Sequence, residues 1–309
     1  MLSVSLSVPM TGEAPRFAFA YAAETLLEAV LTTEGGRIRP KHSAPAGMKW
    51  WISTSAASLN TEVAQEQDPD FNIDAAYAEF ARASWDGFLD FLSGMPYTEA
   101  LFIVRLSEAT KKRIESYAQL RMIYGTHGLA GPGIEARPGS GFHTFDLSYD
   151  GEGRPTEVFD LGADAGWAAG FVAAMAQRFP VTFASILDEE PSYGSTGWDA
   201  ACGIMRHDSL AQSREYLRGY EWITYVPALL LDKIGGMTAA SASGVFHSVC
   251  ELPGGLVELR ATEEPAAYGL RQVRAVHEYL APLLPPGEPQ PPYRPRRTHF
   301  IPQAAHLWD

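Results

Sequence analysis

The sequence predicts an α+β fold: mixed, largely antiparallel sheets with helices packed on them. Three observations point there. Short apolar or alternating segments, rich in β-branched residues, recur at 2–8, 49–53, 101–106, 142–147 and 181–187. Segments with apolar residues at helical spacing lie among them, at 17–30, 74–92, 164–179 and 270–284. Two further strand-like segments, 244–251 and 255–261, are joined by Leu252, Pro253 and Gly254, which is hairpin turn chemistry.

Along the chain, residues 2–8 alternate apolar with small polar side chains, as a strand does. In 17–30, Leu26, Leu27 and Val30 share one side of a helix, although its early part, RFAFAY, has the composition of a strand as well. Residues 32–47 are rich in Gly, Pro and basic side chains and read as loop. In 74–92, Phe80, Trp85, Phe88 and Leu92 supply an apolar face, and Gly94 and Pro96 end it. Residues 111–124 have mixed helix and strand character.

The stretch 127–142 is dense in Gly and Pro and matches neither a dinucleotide fingerprint nor a phosphate loop. In 164–179, Trp167, Phe171, Met175 and Phe179 recur every four residues, and Pro180 stops the helix. Residues 221–234 read as strand or turn entering a short helix that Gly235–Gly236 caps. Past Pro285, PPGEPQPPYRPRRTHF reads as extended polyproline chain, with Arg294, Arg296 and Arg297 making it locally basic. The expected division is an α/β part at 1–130, an α+β part at 131–285 and a Pro-rich tail at 286–309, with 1–285 as one continuous domain the alternative.

With 309 residues, 46% hydrophobic and 11% aromatic, the chain can bury a sizeable core. No apolar run is long enough for a membrane helix, and the first residues, LSVSLSVPM, lack the basic start and apolar core of a signal peptide. The expected location is the cytoplasm. Two cysteines far apart, Cys202 and Cys250, do not make a disulfide framework; whether they pair is open. A net charge of −13 argues against nucleic acid as a partner and favours a basic protein. The charge is uneven. Residues 61–100 hold nine acids and only Arg82 as a base, and Asp188, Glu189 and Glu190 form a second cluster. Such clusters serve as solvated faces or as surfaces for a basic partner.

No catalytic, cofactor-binding or metal-binding set is expected. The eight histidines show no ligand spacing. Cys202, His207 and Asp208 are neighbours in sequence only. His143 and Asp146 fall on opposite faces of one strand, and Glu189 and Glu190 sit in a loop. Aromatic residues are more suggestive: Tyr216, Tyr220, Trp222 and Tyr225 crowd YLRGYEWITYVP with Arg214 and Arg218. These types fill cores and also dominate interaction hot spots.

This stretch resembles the type VI secretion immunity proteins, a bacterial family associated with effectors that carry VRR-Nuc-type nuclease domains. The resemblance runs over about 142–284. It comprises the FHTFDL strand, the helix at 167–179, the VTFASILDE strand and the small-residue segment at 197–202. Next comes YLRGYEWITYVPALLLDKIGG, in which Trp222, Thr224, Pro227, Leu230, Gly235 and Gly236 match the family's block, and Tyr279 and Pro282 fit its last helix. Val226–Pro227 stands where the family often has Leu-Gly, and CGIMRHDS replaces its aromatic-glycine-aspartate segment. The resemblance implies a non-enzymatic protein that binds and neutralises a cognate toxin. The residues expected to face that toxin are Asp70, Asp74, Glu79, Asp86, Asp188, Glu189 and Glu190, with Tyr216, Arg218 and Tyr220 as hot spots. The rival readings are an enzyme with a cleft built from His143, His207, Cys202 or Glu189, and a self-associating structural protein.

Overall fold

The computed structural model describes residues 3–9, 14–33, 48–54, 97–105, 116–124, 142–151, 166–187, 196–204, 206–287 and 289. The fold is α+β, and the chain forms two units, one of Met1–Val8 with Asp160–Asp309 and one of Pro9–Phe159. The division falls after Val8 and before Asp160, where the sequence reading placed it at 130 and 285.

The chain opens on β1 (Ser3–Pro9), whose described partner comes from far along the sequence. Helix α1 (Ala14–Thr33) follows, with Pro15 in its first turn, where a missing N–H costs nothing. RFAFAY is helical throughout. Ala18, Phe19, Ala22 and Ala23 are buried at helical spacing while Phe17 turns outward. Strands β2 (Met48–Thr54), β3 (Tyr97–Arg105), β4 (Ser116–Tyr124) and β5 (Phe142–Gly151) form an antiparallel meander in that order. The mixed segment 111–124 is thus strand from Ser116 onward. Helix α1 packs on β4 within this unit. The helix expected at 74–92 and the Gly/Pro-rich stretch 127–141 lie outside the described residues.

The other unit contains α2 (Gly166–Arg178), β6 (Phe183–Leu187), α3 (Gly197–Cys202), α4 (Arg206–Ala211) and β7 (Ile223–Pro227). Then come α5 (Ala228–Leu231), a 3-10 turn (Asp232–Ile234), α6 (Gly236–Ala242), β8 (Ser248–Leu252), β9 (Leu256–Arg260) and α7 (Leu270–Leu280). Its five strands run antiparallel in the order β1-β6-β7-β9-β8.

Burial follows position in that sheet. The first four residues of β7 and of β9 are buried on both faces, whereas β8 alternates between half-buried and exposed. A strand between two others, with helices on the sheet, shields both its faces; a terminal strand does not. Helix α2 buries Ala168, Phe171, Val172, Met175 and Ala176. Each large apolar side chain so removed from water contributes about 1.5–3 kcal/mol before entropy. Phe179, expected in the same stripe, is only half-buried because the helix has ended at Arg178. Helix α7 buries Val273, Val276, His277 and Leu280, one helical stripe, and exposes Arg271, Arg274 and Glu278 opposite.

Two turns are set by glycine. Gly235 sits at φ +98°, and a Cβ there would lie 2.6 Å from the Cβ of Ala239; Gly236 follows at φ +66°. No L side chain fits the reversal that ends the 3-10 turn and starts α6. Beyond α7 the chain stays packed: Leu283, Leu284 and Pro285 are buried, as is Pro289 within the Pro-rich 286–309, and Leu217 N–H donates to the Leu283 carbonyl at 2.7 Å.

Candidate functional site

The densest polar cluster of the described residues is buried where β1, α3, α4 and the approach to β7 meet. Thr196 and Asp199 start it. The Thr196 hydroxyl accepts the Asp199 N–H at 3.0 Å, and an Asp199 carboxylate oxygen accepts the Thr196 N–H at 3.0 Å. This capping box opens α3 and fixes the carboxylate by contacts within four residues of sequence. Arg218, on the segment leading to β7, then donates from Nη2 to Asp199 Oδ2 at 2.8 Å. Its Nε donates to Ser209 Oγ at 2.9 Å and its Nη1 to Ser7 Oγ at 2.7 Å. Ser209 donates onward to Asp199 Oδ1 at 2.6 Å. The Thr196 hydroxyl donates to the Arg218 carbonyl at 2.6 Å. The guanidinium also lies over the Phe183 ring, 5.7 Å from its centroid.

Charge and hydrogen bonds are thus matched inside the protein. The Arg218 and Asp199 side chains are 1% and 0% exposed. A buried charge is tolerated only when paired and hydrogen-bonded, and the guanidinium fork reaches three elements at once. Below it, Thr182 N–H and Oγ1 both donate to the Ser7 carbonyl, and Thr182 Oγ1 meets Ser213 Oγ at 2.9 Å. The cluster ties β1, α3, α4 and the approach to β7 to one another. The Ser209 hydroxyl is committed to Asp199, so the arrangement is built to hold its members in place.

A second polar row crosses the sheet. Tyr225 donates from its hydroxyl to Glu258 Oε2 at 2.9 Å, and Arg260 donates to Glu258 Oε1 from Nε and Nη2 at 3.2 and 3.1 Å. Burial first, then the Glu258 charge, pushes the Tyr225 phenol well above its ordinary range. Trp222 donates from its indole to the Thr262 carbonyl at 3.0 Å, with Arg260 5.8 Å from its ring centroid. Beyond this row, the rings of Trp198, Tyr220 and His277 pack together at 5.3–6.0 Å.

The expected partner-facing acids Asp70, Asp74, Glu79, Asp86, Asp188, Glu189 and Glu190 lie outside the described residues. Tyr216 is half-buried. Arg218 and Tyr220 are corrections to the expectation of a surface: both are inside the fold, at 1% and 0% exposure. Arg218 is held there by the Asp199 charge, and Tyr220 by the Trp198 and His277 rings. Sequence reading missed Thr196, Asp199 and Ser209. The pattern Thr-x-x-Asp at 196–199 was the available signal, since it is a capping box in outline.

Cys202 and Cys250 are both free, the former half-buried and the latter exposed. Burial, and then the nearby Asp199 charge, pushes the Cys202 thiol up to about 11. A nucleophilic cysteine needs the opposite shift. Asp208 is exposed, and the His207 side chain lies outside the described residues. Among the described residues no group of three His, Cys, Asp or Glu could hold a metal ion, and no helix is long and apolar enough to cross a membrane. At the surface, the turn after β7 sends Leu229 outward at 85% exposure, between buried Val226 and Leu230.

No family model matches the chain, and no curated protein matches it. Among solved structures, the Pseudomonas aeruginosa T6SS protein PA0821 matches with a TM-score of 0.44 and 10% identity, over 99% of this chain and 80% of that chain. This is weak structural similarity, and it transfers neither residue roles nor activity.

Proposed function

We propose that the chain is a non-enzymatic immunity protein, acting in the cytoplasm, that binds and neutralises a cognate type VI secretion effector of the nuclease type. One observation carries the reading. The block YLRGYEWITYVPALLLDKIGG, which carries part of the resemblance to that family, contributes many buried side chains to its unit. Trp222, Thr224 and Leu230 are buried, and Gly235 and Gly236 make the turn their positions require. Arg218 of the block pairs with Asp199, and its neighbours Glu258 and Arg260 pair with each other. What remains for a partner is surface, and the block itself presents Leu229 there. The net charge of −13 suits a basic toxin, raising the association rate, while buried contacts set the dissociation rate.

The test is co-purification with the product of the neighbouring gene, and rescue of cells that express that product. Binding and rescue together are expected. Failure of both refutes the reading. Replacing Asp188, Glu189 and Glu190 with Ser should lower the association rate and flatten its salt dependence; an unchanged rate removes those acids from the contact surface.

A further inference from the structure

We draw no further inference here: the strongest candidate, the buried cluster of Trp198, Tyr220 and His277 where α3, the approach to β7 and α7 meet, with the Trp198 indole N–H and the Tyr268 hydroxyl buried beside it, carries nothing, because its rings pack against one another and nothing among the described residues shows room for a ligand or the chemistry of one.

Discussion

Arg218 keeps a full charge inside the protein because Asp199, Ser209 and Ser7 each take one of its donors. Breaking such a pair leaves an uncompensated buried charge, which costs about 3–5 kcal/mol. Asp199→Ala should therefore lower the unfolding free energy measured by urea denaturation by about that amount, and joining it to Arg218→Met should recover part of the loss. Equal stability of Asp199→Ala and the parent would show that the pair does not hold the fold. Cysteine chemistry is also a residue-scale property. The Cys202 thiol, pushed up to about 11, holds little thiolate at neutral pH. Iodoacetamide should modify exposed Cys250 first, with Cys202 reacting appreciably only as pH nears its raised value; peptide mapping over time gives the order.

Elements inherit these constraints. The approach to β7 passes so close to the α3 cap that a Cβ on Gly219 would lie 3.0 Å from the Thr196 hydroxyl oxygen. That hydroxyl both caps α3 and bonds the Arg218 carbonyl, so it cannot move away freely. Gly219→Ala should cost about 1–3 kcal/mol, the usual penalty for overpacking, measured by thermal or urea unfolding. Two tyrosines, Tyr225 of β7 and Tyr268 just before α7, carry a pH dependence. Tyr225 is buried and bonded to Glu258, and Tyr268 is raised by burial and by the Glu221 charge, so both phenols stay protonated in the folded state. In the unfolded chain they ionise near 10.0. Stability from this source is fully present below that pH and is lost as pH rises past it. Ultraviolet phenolate absorbance should leave these two tyrosines un-ionised until the protein unfolds in alkali.

On the scale of the molecule, the unit of Met1–Val8 with Asp160–Asp309 is discontinuous in sequence. Its sheet depends on β1, which buries Val4, Leu6 and Val8 and delivers Ser7 to Arg218. Removing residues 1–9 deletes three apolar side chains worth about 1.5–3 kcal/mol each, together with an arginine partner. That loss is comparable to the whole margin of about 5–15 kcal/mol. The chain lacking β1 should lose the cooperative melt of this unit in circular dichroism. An intact melt would show that β1 is dispensable.

Periodicity made many elements legible. The alternation in β1, the stripe of α2 and the Leu252–Gly254 turn are local patterns, and a local pattern reports which face of an element is apolar. Patterning did not distinguish helix from strand for RFAFAY, because its apolar residues fit either period until the rest of α1 extends them. The candidate site was less legible. Arg218 and Tyr220 stood out by type, and types that serve interfaces also serve cores. Only the tertiary structure placed Asp199 beside Arg218, across 19 residues, and Ser7 beside it, across 211. The sequence by itself determined the α+β class, the acidic balance and the turn-forming glycines, since each follows from residues near one another or from their sum. Tertiary structure alone decided which charges are buried and which strand ends the sheet, because both depend on strand order, and strand order leaves no mark within any one segment.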